Sequence, residues 1–340
     1  MNASASDYRL FVGVDIAAAS FTASWTQAGR PSQRARSFPQ SSEGFATFQA
    51  ALAGTTIAPA QTLIVLEATG SYWITLAVTL HQAGYAVSVL NPAQVHAFAR
   101  SLPRRAKTDP LDAQLLSLFA CQRQPPRWTP PEQVYHELRQ RLLVRDGLLE
   151  MRQQARNQRH ALEQWPVTIP AALAALDKVV TECERQLQTL ETEIATVLQK
   201  GAWAESAALL ASIKGIGLVT SAWLLVATLN FTACASAEAA AAYAGLVPLA
   251  RESGTSVRGR RQIGHAGNAR LRTALYMATL SAARHNPLIR AQYERLRAAG
   301  KPRKVARCAC ARKLMHLAYA VVSKGERFDP DYCRRGVKAG

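Results

Sequence analysis

The sequence predicts three parts. An α/β N-terminal domain spans residues 8–125, a helical hairpin with a coiled-coil seam spans 132–200, and a mainly α-helical C-terminal domain spans 205–330. Three observations lead there. Strand-like and helix-like segments alternate through the first part, the pattern of an α/β sandwich. After a Pro-rich stretch at 125–131 the hydrophobic period changes. Leu173, Leu176, Val180, Cys183, Leu187, Leu190, Ile194 and Val197 then recur three and four apart, which is a heptad seam. Beyond residue 205 the pattern is one of short helices and loops.

Taken in order, residues 9–14 form a strand and 21–26 its hairpin partner. Residues 44–52 are helical. The continuous β-rich run 62–66 suits a central strand buried on both faces. A helix over 72–83 is ended by Gly84, and a strand over 85–90 stops at Asn91-Pro92. A basic loop, 100–107, precedes a helix that starts at Asp109. Residues 137–165 make the first arm of the hairpin, its seam blurred by Arg145 and Arg152, and Pro166 and Pro170 break the chain before the second arm. Such a hairpin can satisfy its seam internally or pair with a second subunit; the cleaner seam over 173–197 favours the dimer. Ile213-Lys214-Gly215-Ile216-Gly217 is similar to the turn of a helix-hairpin-helix module, whose glycines let backbone N–H groups approach a phosphate. A plain helix–helix turn explains it equally well.

Composition narrows the function. With 340 residues, 49% of them hydrophobic, the chain can bury at least two cores. The net charge is +18, and residues 251–340 hold 21 Lys and Arg against 5 Asp and Glu. Charge this concentrated repels itself and calls for a polyanionic partner. The best apolar run, 221–229, is too short to span a bilayer, and Asp15 interrupts the N-terminal apolar stretch, so neither a membrane protein nor a signal peptide is expected. The six cysteines are scattered, with only Cys308 and Cys310 close together, which reads as reduced thiols rather than a zinc site.

Four carboxylates carry the chemistry. Asp15 closes the apolar run L-F-V-G-V-D, and Glu67 closes L-I-V-L-E. Asp109 and Asp112 open a late helix in K-T-D-P-L-D-A, with Asp109 read as its N-cap and Pro110 as its first residue. Residues three apart share a helix face, so both can point towards a sheet edge where Asp15 and Glu67 emerge. Each position alone has a structural explanation: a turn, an ion pair or a helix cap. Their order, however, matches the RNase H and RuvC class of nucleases, in which such a cluster holds two Mg²⁺ across a scissile phosphate.

A second candidate is the small-residue loop Arg251-Glu252-Ser253-Gly254-Thr255-Ser256-Val257-Arg258-Gly259. Gly254 gives the backbone freedom to present a hydroxyl, and Arg251 and Arg258 can hold phosphate charge. Ser256 is a second hydroxyl in the same loop, and a plain turn serine is the common alternative. No hydrolase triad spacing or G-x-S-x-G is present. Arg260, Arg261, Arg270, Arg272, Lys301, Arg303 and Lys304 complete a basic surface for nucleic acid, which Arg307, Arg312 and Lys313 extend.

The set G-V-D-I, L-E-A-T-G, K-T-D-P-L-D-A, G-I-G, Y-A-G-L-V-P, E-S-G-T-S-V-R-G, G-H-A-G-N-A-R-L-R and A-L-Y-M resembles the DEDD insertion-sequence transposases, which include pilin-gene invertases and bridge-RNA-guided recombinases. The resemblance runs from about residue 8 to about residue 330. It implies a RuvC-like N-terminal domain with Asp15, Glu67, Asp109 and Asp112 as catalytic metal ligands. It also implies a C-terminal transposase domain in which Ser253 is the nucleophile that joins to DNA. The partners implied are double-stranded DNA (element ends and target), a noncoding guide RNA and further copies of the chain in a homodimer or tetramer, in the bacterial cytoplasm at the nucleoid. Two other readings stay open: a Mg²⁺ nuclease of the Holliday-junction-resolvase type, in which water attacks and Ser253 is dispensable, and a non-catalytic DNA-bridging protein.

Overall fold

The computed structural model describes residues 8–28, 30, 33–68, 70–101, 108–248, 263–264 and 266–331, with the backbone alone at 252–253 and 257–258. The chain divides into two compact units, Met1–Pro130 and Pro131–Gly340.

The first unit is built on β1 (Leu10–Ile16), β2 (Ser20–Gln27), β3 (Arg36–Pro39), β4 (Thr62–Glu67) and β5 (Ala86–Leu90). The sheet order is β3-β2-β1-β4-β5. β2 runs antiparallel to both β1 and β3, whereas β1, β4 and β5 are parallel. Side chains alternate across the strands. Leu10, Val12 and Val14 therefore join Ile64 and Leu66 on one face. They pack there with α1 (Ser42–Ala53) through Phe45, Phe48 and Leu52, and with α2 (Trp73–Gln82) through Leu76 and Leu80. Phe11, Leu63 and Val65 go to the opposite face, against Val95 and Phe98 of α3 (Pro92–Arg100) and Leu115, Leu116 and Ala120 of α4 (Asp109–Arg123). A mixed α/β sheet covered on both sides, followed by a mostly helical region, is compatible with an RNase H-like transposase fold.

Two elements of this unit escaped the sequence pattern. β3 is only R-S-F-P, and Phe38 is its single buried residue, so it carries no alternation to read. α3 follows directly from Asn91-Pro92: Asn91 Oδ1 accepts from the Ala93 N–H at 2.9 Å, and the proline occupies the first turn. A strand stop was also a helix start.

In the second unit α5 (Gln133–Leu162) and α6 (Pro170–Lys200) form an antiparallel hairpin. Cys183, Leu187 and Ile194 of the α6 seam are buried, as are Leu138, Leu142 and Ala155 of α5. Arginines along α5, among them Arg145 and Arg152 that blur its pattern, pair with acids flanking the α6 seam, Arg152 with Glu184 at 3.9 Å. Arg141 meets Glu193 at 2.7 Å, Arg145 meets Glu191 at 2.7 Å, Arg156 meets Glu184 at 2.5 Å and Arg159 meets Asp177 at 2.6 Å. Long arginine stems cover apolar surface while their heads stay wet. Much of the seam is thus met within the chain.

Beyond the hairpin come α7 (Ala204–Ala211), α8 (Leu218–Thr228), α9 (Ala237–Tyr243), the short strands β6 (Glu252–Ser253) and β7 (Val257–Arg258), α10 (Ala269–His285), α11 (Pro287–Ala298) and α12 (Arg303–Lys324). α8 is sunk in the centre, with Leu224 and Leu225 fully buried, and the same core takes in Val134, Leu138, Ile194 and Leu198 from the base of the hairpin. The Gly215 turn is a packing device. Gly215 has φ +106°, and a Cβ there would lie 2.5 Å from Ala282 Cβ of α10. Asn286 Nδ2 donates to the Lys214 carbonyl at 3.3 Å beside it.

Candidate catalytic acids and the clasped serine segment

The register of two parallel strands sets Asp15 beside Glu67. Val14 pairs with Leu66, so the next residues on β1 and β4 are Asp15 and Glu67. By alternation both share the face of Phe11, Gly13, Leu63 and Val65, which is the face that α4 covers. Gly13 lets α4 come that close. A Cβ on Gly13 would lie 2.2 Å from the Ser117 nitrogen, 2.3 Å from the Ala113 oxygen and 2.6 Å from the Leu116 carbonyl carbon. A glycine inside a strand is the usual mark of such a backbone approach. With Ala113 over Gly13, the residues before it on α4, Asp112 and Asp109, lie towards the strand end that carries Asp15.

The electrostatics agree with that placement. The Asp15 carboxyl is pushed up to about 6, first by burial and then by the charges of Asp112, Asp109 and Glu67, against a small lowering by the Ile16 N–H. Asp15 thus lies within electrostatic reach of each of the other three acids. The helix start differs by one residue from the sequence reading. Thr108, not Asp109, is the N-cap: its backbone is extended and its carbonyl accepts from the Asp112 N–H at 2.9 Å. Asp109 is the first helical residue and Pro110 the second. The extended conformation that proline imposes on its predecessor is therefore not obeyed at Asp109.

Among the described residues, no three acidic, histidine or cysteine side chains are gathered tightly enough to hold one metal ion. The donor chemistry suits a hard divalent ion, because every candidate ligand atom is a carboxylate oxygen.

The serine segment is pinned at its feet. Ser253 lies in β6, opposite Val257 of β7, and Glu252 is opposite Arg258. The side chains of Arg251, Ser253, Ser256, Arg258, Arg260 and Arg261, together with Gly254 and His265, lie outside the described residues. On either side of this segment the chain is held hard against itself. Gly245 (φ +70°) and Gly267 (φ +88°) meet so closely that a Cβ on Gly267 would lie 2.5 Å from the Gly245 nitrogen. The Asn268 N–H donates to the Tyr243 carbonyl at 2.7 Å. Arg272 Nη1 donates to the Ala266 carbonyl at 3.0 Å and to the Ala244 carbonyl at 3.4 Å. One guanidinium thus ties both feet.

This clasp was not visible in the sequence, where Arg272 looked like a phosphate contact. The signal was there in two glycines, each inside a quoted motif, but their meeting is a tertiary fact. Arg270 is engaged within the chain as well: it pairs with Asp146 and its guanidinium lies 5.6 Å from the centroid of the Trp223 ring. Lys301, Arg303 and Lys304 are exposed at the α11–α12 turn and the first turn of α12.

Residues 12–164 match a family model for DEDD transposases, described as a transposase, and residues 207–294 match the transposase IS116/IS110/IS902 family. The chain is 32% identical over 275 residues to the pilin gene-inverting protein of Moraxella bovis, a match covering 78% of this chain and 81% of that one. The corresponding protein of Moraxella lacunata is 31% identical over 275 residues, with the same coverage. An uncharacterised protein of insertion element IS110 from Streptomyces coelicolor is 30% identical over 176 residues, which is 50% of this chain and 42% of that one.

Proposed function

This chain belongs to the IS116/IS110/IS902 family of transposases, and from that premise we propose that its acids and its serine act on one DNA phosphodiester. The observation that supports the proposal is the Asp15 carboxyl, raised by burial and by the charges of Asp112, Asp109 and Glu67 around it. Carboxylates collected against their own repulsion are costly to the fold and are usually there for chemistry.

In this reading the four acids hold divalent metal, most simply two Mg²⁺, which when bound neutralises phosphate charge and stabilises the charge built up in the reaction. Ser253 Oγ attacks phosphorus in line. The new O–P bond makes a phosphoserine link, the old P–O bond to the leaving strand breaks, and the freed strand end takes the proton. One ester replaces another, so the strand is rejoined by the reverse reaction without ATP. Serine is a weak nucleophile on its own, so its proton must be drawn off as the bond forms. Arg251 and Arg258 flank Ser253 and hold the phosphate.

The substrate is double-stranded DNA at element ends and target, and the names of the Moraxella relatives, gene-inverting proteins, fit the same strand exchange. The described basic residues sit at helix starts and turns, as suits backbone contact more than base reading. Sequence choice then falls to a noncoding RNA encoded by the element. The working form is a homodimer or tetramer at the bacterial nucleoid.

The test is to incubate the protein with element-end DNA, Mg²⁺ and the flanking transcript, then run a denaturing gel and map any DNA-linked peptide. A covalent adduct at Ser253, absent in Ser253→Ala and Asp15→Ala, is the expected result. Full recombination by Ser253→Ala would replace this mechanism with the resolvase-type one.

A further inference from the structure

A groove of about 940 Å³ opens beside the clasp in the second unit. Its size falls within the range of roughly 300–1,000 Å³ seen for small-ligand pockets. Both feet of the serine segment line it, through Leu246 and Pro248 on one side and Ile263 on the other. Val305 and Leu317 of α12 line it with apolar surface, and Lys304, Arg312 and Lys313 of the same helix line it with positive charge. α12 contains no acid at all. Glu238, at the start of α9, is the acid that feels Arg312 and His316. The groove therefore joins apolar surface to positive charge.

Two further observations say what fits it. Arg303 and Lys304 occupy the first turn of α12, where the helix dipole opposes positive charge and no acid compensates. An anion beside that turn would offset both the dipole and the two positive charges. Also, Nε2 of His316, a groove residue, is buried without a hydrogen-bond partner. A small shift of the imidazole would turn that nitrogen to the groove, where the polar edge of a ligand with an apolar body would pair with it. An apolar slot with basic walls is the combination that single-stranded nucleic acid requires, and a duplex does not offer its bases to such a slot.

We infer that this groove is a site for an unstacked nucleotide of the DNA strand being joined, held next to the segment that carries Ser253. The inference rests on the strand-joining reading above. The base lies against Val305 and Leu317, and the backbone runs along Lys304, Arg312 and Lys313.

The experiment uses the full chain and a fluorescein-labelled single-stranded oligothymidylate of about 12 nucleotides, alongside a duplex of the same length. Val305→Trp fills the slot at a position that is 52% exposed and outside the core. It should weaken single-strand binding by about tenfold or more while changing duplex binding by less than about twofold. Independently, in the unaltered protein the oligonucleotide should protect Cys308, a groove residue, from maleimide, while Cys121 keeps its reactivity. Equal weakening of single strand and duplex, an unchanged single-strand affinity, or an unprotected Cys308 would overturn the inference. So would stronger protection by the matching RNA than by DNA, which would assign the groove to RNA. Ser253→Ala separates the two claims: it should lose the covalent adduct but keep oligonucleotide binding. An adduct that survives in that variant sinks the serine mechanism and leaves the groove standing.

Discussion

At Asp15, burial and three neighbouring carboxylates act in the same direction, raising the carboxyl to about 6. The sign of the effect on stability follows. A carboxyl raised above its unfolded value of about 3.9 contributes stability that is whole below that value and lost as pH rises through about 6. In metal-free buffer the thermal midpoint should therefore fall between pH 5 and pH 7. Asp15→Asn should remove that fall and raise stability at pH 7 by about 1–2 kcal/mol, after discounting for the group's partial exposure, while abolishing DNA joining. Calorimetry across pH checks it; an asparagine variant no more stable than the parent at pH 7 would deny the repulsion. Arg272 is a different case. Arg272→Ala should leave DNA affinity within about twofold but slow adduct formation by about tenfold or more, since losing the two carbonyl bonds costs about 2 kcal/mol of local order. Filter binding and a time course of adduct formation separate the two effects. An affinity loss as large as the rate loss would make Arg272 a phosphate contact after all.

At the scale of elements, α12 offers a test in which stability and binding move oppositely. Lys304→Glu replaces a cation with an anion in the first turn, so it should stabilise the helix by about 0.3–1 kcal/mol and weaken DNA binding at the same time. Urea unfolding and a binding isotherm on the same sample measure both. Gly13→Ala belongs here too: it would drive α4 off β1 and cost about 1–3 kcal/mol, displacing Asp109 and Asp112 together. How much of this was legible in the sequence varied with the range of the interaction. The strands ending at Asp15 and Glu67 were readable because each is an apolar run closed by a charge. β3 was not, because R-S-F-P buries only Phe38. The α5 arginines hid a real seam, since their partners Glu191 and Glu193 lie on the other arm. The four acids could be chosen from their order, but what lets α4 approach β1 is Gly13, whose role depends on which helix lies over it. The bonds of Arg272 to two backbone carbonyls were illegible for the same reason: Gly245 and Gly267 bring those carbonyls together, and no local pattern announces that meeting.

For the whole molecule, the acids and the serine sit in separate compact units, Met1–Pro130 and Pro131–Gly340. If a reaction centre is assembled from different copies, a mixture of Asp15→Ala and Ser253→Ala proteins should recover joining that neither shows alone; complete inactivity of the mixture would require both groups from one copy. The charge of +18 predicts that affinity for DNA falls steeply as salt rises, with a log–log slope that grows with the number of phosphates contacted. A flat response between low and physiological salt would remove the electrostatic footing of the proposal. The Gly245–Gly267 contact carries one more implication. Because the chain re-enters the helical unit at the point where it left, the span between the two feet is fixed by the scaffold and not by the stretch that joins them. Insertions or deletions on either side of the serine could therefore lengthen or shorten that stretch while the scaffold beneath keeps its melting behaviour.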